Sequence, residues 1–301
     1  MFRDDLLKGK RILVTGGGTG LGRSMAEKYL QLGAELYLCG RRKLVLDETA
    51  AQMMSAWGGS VKTFGVDIRD AAAVDAMVEE IFAEGPLTGL VNNAAGNFIS
   101  PTEALSPRAF DAIASIVFHG TFYVTNAVGR RWVEAAKRAG GWNPPAPMKS
   151  VVSIITTWVE NGGPYVVPSA MSKAGIATMT RSLAVEWARY GVRLNAIGPG
   201  EIPTEGMSKR LNPGEDPGAR SRQFNPQKRP GEMSELQNLA TFLMADGCDW
   251  LTGQLLHMDG GNYLATGGTF YALRDWTDEM WMQARARIEA QNAKDRAQRT
   301  G

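Results

Sequence analysis

The sequence predicts a doubly wound α/β fold, a single domain on a parallel seven-stranded sheet with helices on both faces. Two observations carry this. Short apolar runs alternate with helical stretches along the chain, the pattern of strands buried on both faces. A glycine-rich turn joins the first apolar run to the first helical stretch. The 301 residues are 44% hydrophobic and show no composition break, so one large core is expected rather than two small ones.

In chain order, strands are expected at 11–15, 35–39, 61–65, 90–92, 150–155, 193–197 and 254–258. Each is a short apolar run, and most are closed by Gly, Asn or Asp. Helices are expected between them, including 20–32, 43–57, 71–84 and 170–190. Two insertions interrupt the alternation. Gly140-Gly141-Trp142-Asn143-Pro144-Pro145-Ala146-Pro147 enters the fifth strand at its amino end, distal to any ligand held at the carboxyl ends. Residues 201–230 are polar, rich in Pro and Gly, and follow the sixth strand at its carboxyl end, where a substrate lid would lie. Residues 1–261 make up the sheet domain. Residues 262–301 form a tail packed on or near it, with a polar helix at about 277–293.

The bulk numbers exclude several classes of function. A net charge of +2 gives no footprint for nucleic acid or an anionic membrane surface. Two cysteines, Cys39 and Cys248, make neither a disulfide framework nor a cysteine zinc site, and no metal site is expected. About ten residues precede the first strand, and no apolar run of ~20 residues is read as a bilayer span. The expectation is a soluble, cytoplasmic protein.

The first helix opens on Thr15-Gly16-Gly17-Gly18-Thr19-Gly20-Leu21-Gly22. Glycines at 16, 20 and 22 lie where backbone must approach a pyrophosphate at a helix N-terminus, the dinucleotide-binding Rossmann arrangement. The second strand ends at Gly40-Arg41-Arg42-Lys43, with no acid to bond the ribose 2′-hydroxyl of NAD. Arg41 and Arg42 suit a 2′-phosphate, so NADP(H) is expected.

With Asn92-Asn93-Ala94-Ala95-Gly96 and Pro168-Ser169-Ala170-Met171-Ser172-Lys173, these motifs make the chain resemble the short-chain dehydrogenase/reductases. That family uses a Tyr-x-x-x-Lys pair as proton source beside a nicotinamide. Here the lysine is Lys173, and Ser169 stands four residues before it. A phenol titrates near pKa ~10, and an aliphatic hydroxyl is far less acidic. Ordinary alcohol–carbonyl interconversion is therefore disfavoured.

The run Asn97-Phe98-Ile99-Ser100-Pro101-Thr102-Glu103, with Ser153–Thr157 and Val166-Val167-Pro168-Ser169, resembles the mitochondrial-type 2,4-dienoyl-CoA reductases along nearly the whole chain. The resemblance implies an acyl-CoA substrate, NADPH, fatty acid metabolism and a homotetramer. It also implies roles for individual residues. Gly16, Thr19, Gly20, Leu21, Gly22, Arg41, Arg42, Asp67, Asn93, Ala94, Gly96, Lys173, Pro199, Gly200 and Ile202 would hold the cofactor. Arg69, Asn97, Phe98, Ser106, Ser169 and Arg210 would contact the thioester, acyl chain or CoA. Ser106 also precedes Pro107 and reads equally as a helix N-cap. Arg69 and Arg210 read equally as solvated surface charges.

Two positions depart from the resemblance. Trp158 stands fifteen residues before Lys173, where the family carries its tyrosine acid, and an indole does not titrate. Tyr165, in the same strand-to-helix loop, is the substitute acid or a lid aromatic. His119 replaces an asparagine and could relay a proton or simply pack. Lys173, Tyr165, Ser169, Asn97 and His119 are thus the catalytic candidates. Two alternatives stay open: reduction of another enone or enoyl thioester with Tyr165 as acid, and a non-catalytic NADPH-binding homologue.

Overall fold

A computed structural model describes residues 1–144, 146–204, 216–266, 273 and 276–300. The sheet has seven parallel strands: β1 Arg11–Thr15, β2 Glu35–Gly40, β3 Val61–Gly65, β4 Gly89–Asn92, β5 Lys149–Ile154, β6 Val192–Pro199 and β7 Leu255–Met258. Their order is β3-β2-β1-β4-β5-β6-β7. The winding reverses between β1 and β4, and a ligand crevice opens at such a reversal, beyond the carboxyl ends of the strands.

The helices are α1 Gly20–Gln31, α2 Lys43–Trp57, α3 Ala71–Ala83, α4 Pro107–Ala114, α5 Thr121–Arg138, α6 Trp158–Asn161 and α7 Val167–Trp187. They continue as α8 Ala219–Phe224, α9 Met233–Met244, α10 Asn262–Thr266 and α11 Asp278–Thr300. A π-helical turn, Ser115–Gly120, joins α4 to α5. The helix expected at 170–190 begins three residues earlier, because Pro168 is accommodated in a first turn where no backbone donor is needed. Residues 188–190 close it as a 3₁₀ turn.

Alternate strand residues face opposite sides of the sheet, and both sides are covered. One layer packs Ile12, Val14, Leu36, Leu38, Val152 and Ile197 against Met25 and Tyr29 of α1, Met53 of α2 and Leu243 of α9. The other packs Leu13, Tyr37, Leu90, Val151 and Leu194 against Val78 of α3, Trp132 of α5 and Trp187 of α7. Cys39 belongs to this second layer, where burial pushes its thiol up to about 12.

The continuous helical stretch Pro107–Arg138 is long and apolar enough, by length and composition, to cross a bilayer. Its Val117, Val124, Val128 and Trp132 are buried against the sheet and neighbouring helices, as in a core helix. The proline-rich insertion lies by the amino ends of β5 and β6: Trp142 packs on Gly191, and its indole N–H donates to Ala146 O at 2.8 Å. Of the insertion at 201–230, residues 205–215, Arg210 among them, lie outside the described residues. Its two ends are tied together, since Glu201 accepts from Gly218 N (3.1 Å) and Ser221 N (3.2 Å).

Candidate active site

The crevice is built first from the turn between β1 and α1. Gly16 has φ +65°, and a Cβ there would lie 2.9 Å from Asn93 Nδ2 and 3.0 Å from Ala94 Cα. At Gly22 a Cβ would meet the same Asn93 nitrogen at 2.3 Å. Only glycine lets the turn close this tightly on the strand beside it. Thr15 Oγ1 accepts from Asn93 N (3.0 Å) and Ala94 N (3.1 Å), while Asn93 Nδ2 donates to Thr15 O (3.0 Å) and Gly16 O (3.2 Å). The loop after β4 thus braces the glycine turn. Thr19 and Gly20 are exposed, Leu21 is half-buried, and Thr19 makes no side-chain cap bond to α1. Without that side-chain cap, the first-turn N–H groups of α1 suit a pyrophosphate. Gly96 makes only ordinary contact with Ile113 and Ile116.

Arg41 and Arg42 are exposed at the end of β2, with Arg42 at the N-terminus of α2. Asp67, expected among the cofactor residues, and Arg69, expected on the acyl-CoA side, are paired with each other. Arg69 Nε donates to both Asp67 oxygens at 3.0 Å, and Nη2 donates to Oδ2 at 2.5 Å. Arg69, chiefly through its side-chain hydrogen bonds, holds the Asp67 carboxyl below the usual carboxylate range, and Arg41 adds to this. On the other side of the crevice, Pro199 ends β6 and Gly200 is pressed against Asp259, where a Cβ would sit 2.6 Å from Asp259 Cβ. Ile202 turns its side chain into the core, so only its backbone is left to face a ligand.

Ser169 and Lys173 lie one above the other in the first turns of α7, exposed to 3% and 6%. Lys173 Nζ donates to Ile154 O at the end of β5. Burial pushes the Lys173 ammonium down to about 8. Next to β5, Asn92 is also buried and donates to Thr125 Oγ1 (2.8 Å) and Ser153 Oγ (3.3 Å). Asn97 is half-buried, and its Oδ1 accepts from Phe98 N at 2.9 Å. Phe98 packs on an apolar patch made by Ile113, Val117, Ile155, Ile176, Ala177 and Ala196.

Tyr165 has φ +64°, one of two non-glycine residues with positive φ among the described residues. That conformation costs an L-residue ~1–2 kcal/mol and survives where its surroundings fix it. Its carbonyl accepts from Ser100 N at 2.9 Å, and its ring lies tilted at 47° against Trp281 of α11, centroids 4.7 Å apart. Trp158 is buried in the same cluster, with Ile99, Val166 and Leu273.

Two sequence candidates are differently placed. His119 is exposed, with its ring against Phe118 (5.6 Å) and Tyr123 (6.2 Å), whereas Lys173 is buried. The π-helical turn sends Val117 inward in its place. Ser106 caps α4, accepting from Ala109 N at 3.2 Å, so its hydroxyl is engaged in the helix start rather than in the crevice.

The sequence reading missed the C-terminal contacts. His257 Nε2 lies 3.0 Å from Glu160 Oε1, its ring stacks on Tyr263 at 4.8 Å, and Asn161 Nδ2 donates to Tyr263 O at 3.3 Å. The spacing of Trp281, Ala284 and Ile288 marks a face of the last helix that can pack, but not the partner it packs on.

A family model described as enoyl-(acyl carrier protein) reductase matches residues 16–262. The chain belongs to the short-chain dehydrogenase/reductase family. This reductase is 39% identical to a Caenorhabditis elegans protein named "Probable 2,4-dienoyl-CoA reductase 3 [(3E)-enoyl-CoA-producing]", over 98% of its own length and 94% of the relative's. It is 37% identical to a Bacillus subtilis protein named "Probable 2,4-dienoyl-CoA reductase [(2E)-enoyl-CoA-producing]", over 85% and 97% of the two chains. A solved Bacillus anthracis short-chain dehydrogenase superposes with a TM-score of 0.75 at 34% identity, covering 86% of this chain and 99% of that one.

Proposed function

We propose that this reductase adds hydride from NADPH to a conjugated carbon–carbon double bond of an acyl-CoA of the 2,4-dienoyl class. The observation that carries the reading is the pair Lys173 and Ser169: a buried ammonium is kept, and the acidic phenol four residues before it is gone. Such a site suits a reaction whose proton goes to carbon rather than to a carbonyl oxygen. The names of the worm and Bacillus relatives support it.

NADPH, when bound, supplies the hydride. The glycine turn and the first turn of α1 hold its pyrophosphate, Arg41 and Arg42 its 2′-phosphate, and Lys173 its nicotinamide ribose. Hydride arrives at the far end of the diene and leaves a dienolate with its charge on the thioester oxygen. Hydrogen-bond donors fixed in advance stabilise such an oxygen; Asn97 and Ser169 are the side chains assigned to it, with Lys173 adding positive potential. Tyr165, directly or through water, delivers the proton to the α-carbon. Protonation there leaves a 3-enoyl thioester, the product in the worm relative's name; protonation at the γ-carbon would give the 2-enoyl product of the Bacillus name. Assembly as a homotetramer belongs to the same reading.

Stopped-flow absorbance at the NADPH band tests it. Mixing with a 2,4-dienoyl-CoA should give rapid loss of NADPH, and simple ketones should give little or none. Comparable rates on the two substrate classes would refute it.

A further inference from the structure

The segment between β5 and α7 holds Trp158 and Tyr165 and borders Ser169; within it lie the single helical turn α6 and backbone bonds such as Gly162 N to Trp158 O (2.9 Å) and Val166 N to Gly163 O (3.3 Å). Gly162 and Gly163 interrupt it, and the space around the Cβ position of Gly162, at φ +77°, is open. Further fixed points come from far along the chain. Glu160 is held by His257, Asn161 by Tyr263, and Tyr165 by Trp281. Trp281 is braced in turn by Trp276 at 4.8 Å, and Ile288 packs against the same cluster. The bond from Ser100 N to Tyr165 O ties the segment to the Asn97–Glu103 loop.

We propose that Trp281 is a positioning residue of the reductase site: by packing against Tyr165 it holds both that segment and, through Ser100, the substrate loop at Asn97. The role in turnover rests on the dienoyl-CoA reading above. A non-glycine residue in the left-handed region needs outside contacts to keep it there, and the Trp281 ring is one that Tyr165 has, beside the cluster of Ile99, Trp158, Val166 and Leu273. The nucleotide cradle is braced separately, by Thr15 and Asn93. Trp281 therefore acts on the acyl-CoA side of the site and not on the cofactor side.

The test uses the full chain with Trp281→Ala, Trp281→Leu and Trp281→Phe. Leucine keeps apolar bulk without the ring, and serves if alanine prevents folding. Amide hydrogen exchange is read on peptides covering 97–103 and 158–166, alongside NADPH affinity by fluorescence titration and steady-state kinetics with a dienoyl-CoA. In the alanine or leucine variant, exchange in both peptides should rise at least tenfold and KM for the dienoyl-CoA at least tenfold. NADPH affinity should stay within twofold, and phenylalanine should restore both readouts to within about threefold. Unchanged exchange, unchanged KM, or a matching loss of NADPH affinity overturns the proposal. If the parent protein leaves dienoyl-CoA unreduced, the substrate reading fails by itself, and the exchange result alone then decides the role of Trp281.

Discussion

Lys173 turns its ammonium onto the backbone carbonyl of Ile154, the residue that closes β5. The bond fixes the lysine at the carboxyl edge of the sheet, and burial sets its acidity. Its pKa falls from an ordinary 10.5 to about 8.

That shift predicts a pH-dependent stability. The unfolded chain keeps the proton up to about 10.5, and the folded chain only to about 8. Between those values the unfolded state binds more protons, so stability rises with pH across this window, and the burial cost is fully present below it. The cost is on the order of 3 kcal/mol. Lys173→Met should therefore melt several degrees above the parent at pH 7 while losing turnover. The gap should close between pH 8 and 10.5, which thermal melts across that range would check.

Arg41 is predicted to choose the cofactor. NADPH should bind at least tenfold tighter than NADH, because an arginine–phosphate contact exceeds ~1.4 kcal/mol. In Arg41→Ala most of that preference should vanish, with NADH affinity nearly unchanged. Equal dissociation constants for the two cofactors in the parent would remove the claim.

Tyr165→Phe should lower kcat by ~10²–10⁴, the usual contribution of general acid catalysis, with NADPH binding intact. Trp158→Tyr restores the family's acid position and should partly rescue it. If affinity for the dienoyl-CoA falls while kcat holds, Tyr165 serves as a wall of the site rather than its acid.

Ser106→Ala separates a helix cap from a substrate contact. Losing the bond to Ala109 N should cost ~1 kcal/mol and lower Tm by ~2–4 °C. KM for the acyl-CoA should stay within twofold. A tenfold rise would place Ser106 in the substrate site.

The central strands were readable because their runs, such as Ile12-Leu13-Val14 and Leu36-Tyr37-Leu38-Cys39, are apolar on both faces and closed by a residue that breaks the run, as in Val14 to Gly16 or Cys39 to Gly40. The glycine turn was readable because its chemistry is local: Gly16 and Gly22 are required by a turn seven residues long. His119 was expected in the site from the resemblance alone, and it stands exposed in the π-helical turn at 115–120. The grip of His257 on Glu160 spans 97 positions, and that of Trp281 on Tyr165 is longer still. No local spacing encodes such pairs; they emerge only once β7 and α11 have docked on the domain.

The sheet order also sets a sequence of events during synthesis. β1, β2 and β3 are consecutive in the chain and adjacent in the sheet, so the nucleotide cradle can assemble from the first part of the chain made. Its brace, Asn93, follows shortly. The ring that steadies Tyr165 emerges long afterwards, when every strand already exists. A nascent chain would thus build the pyrophosphate side of the crevice first, gain Lys173 and the loop after β6 later, and receive last the ring proposed to steady the acyl-thioester side.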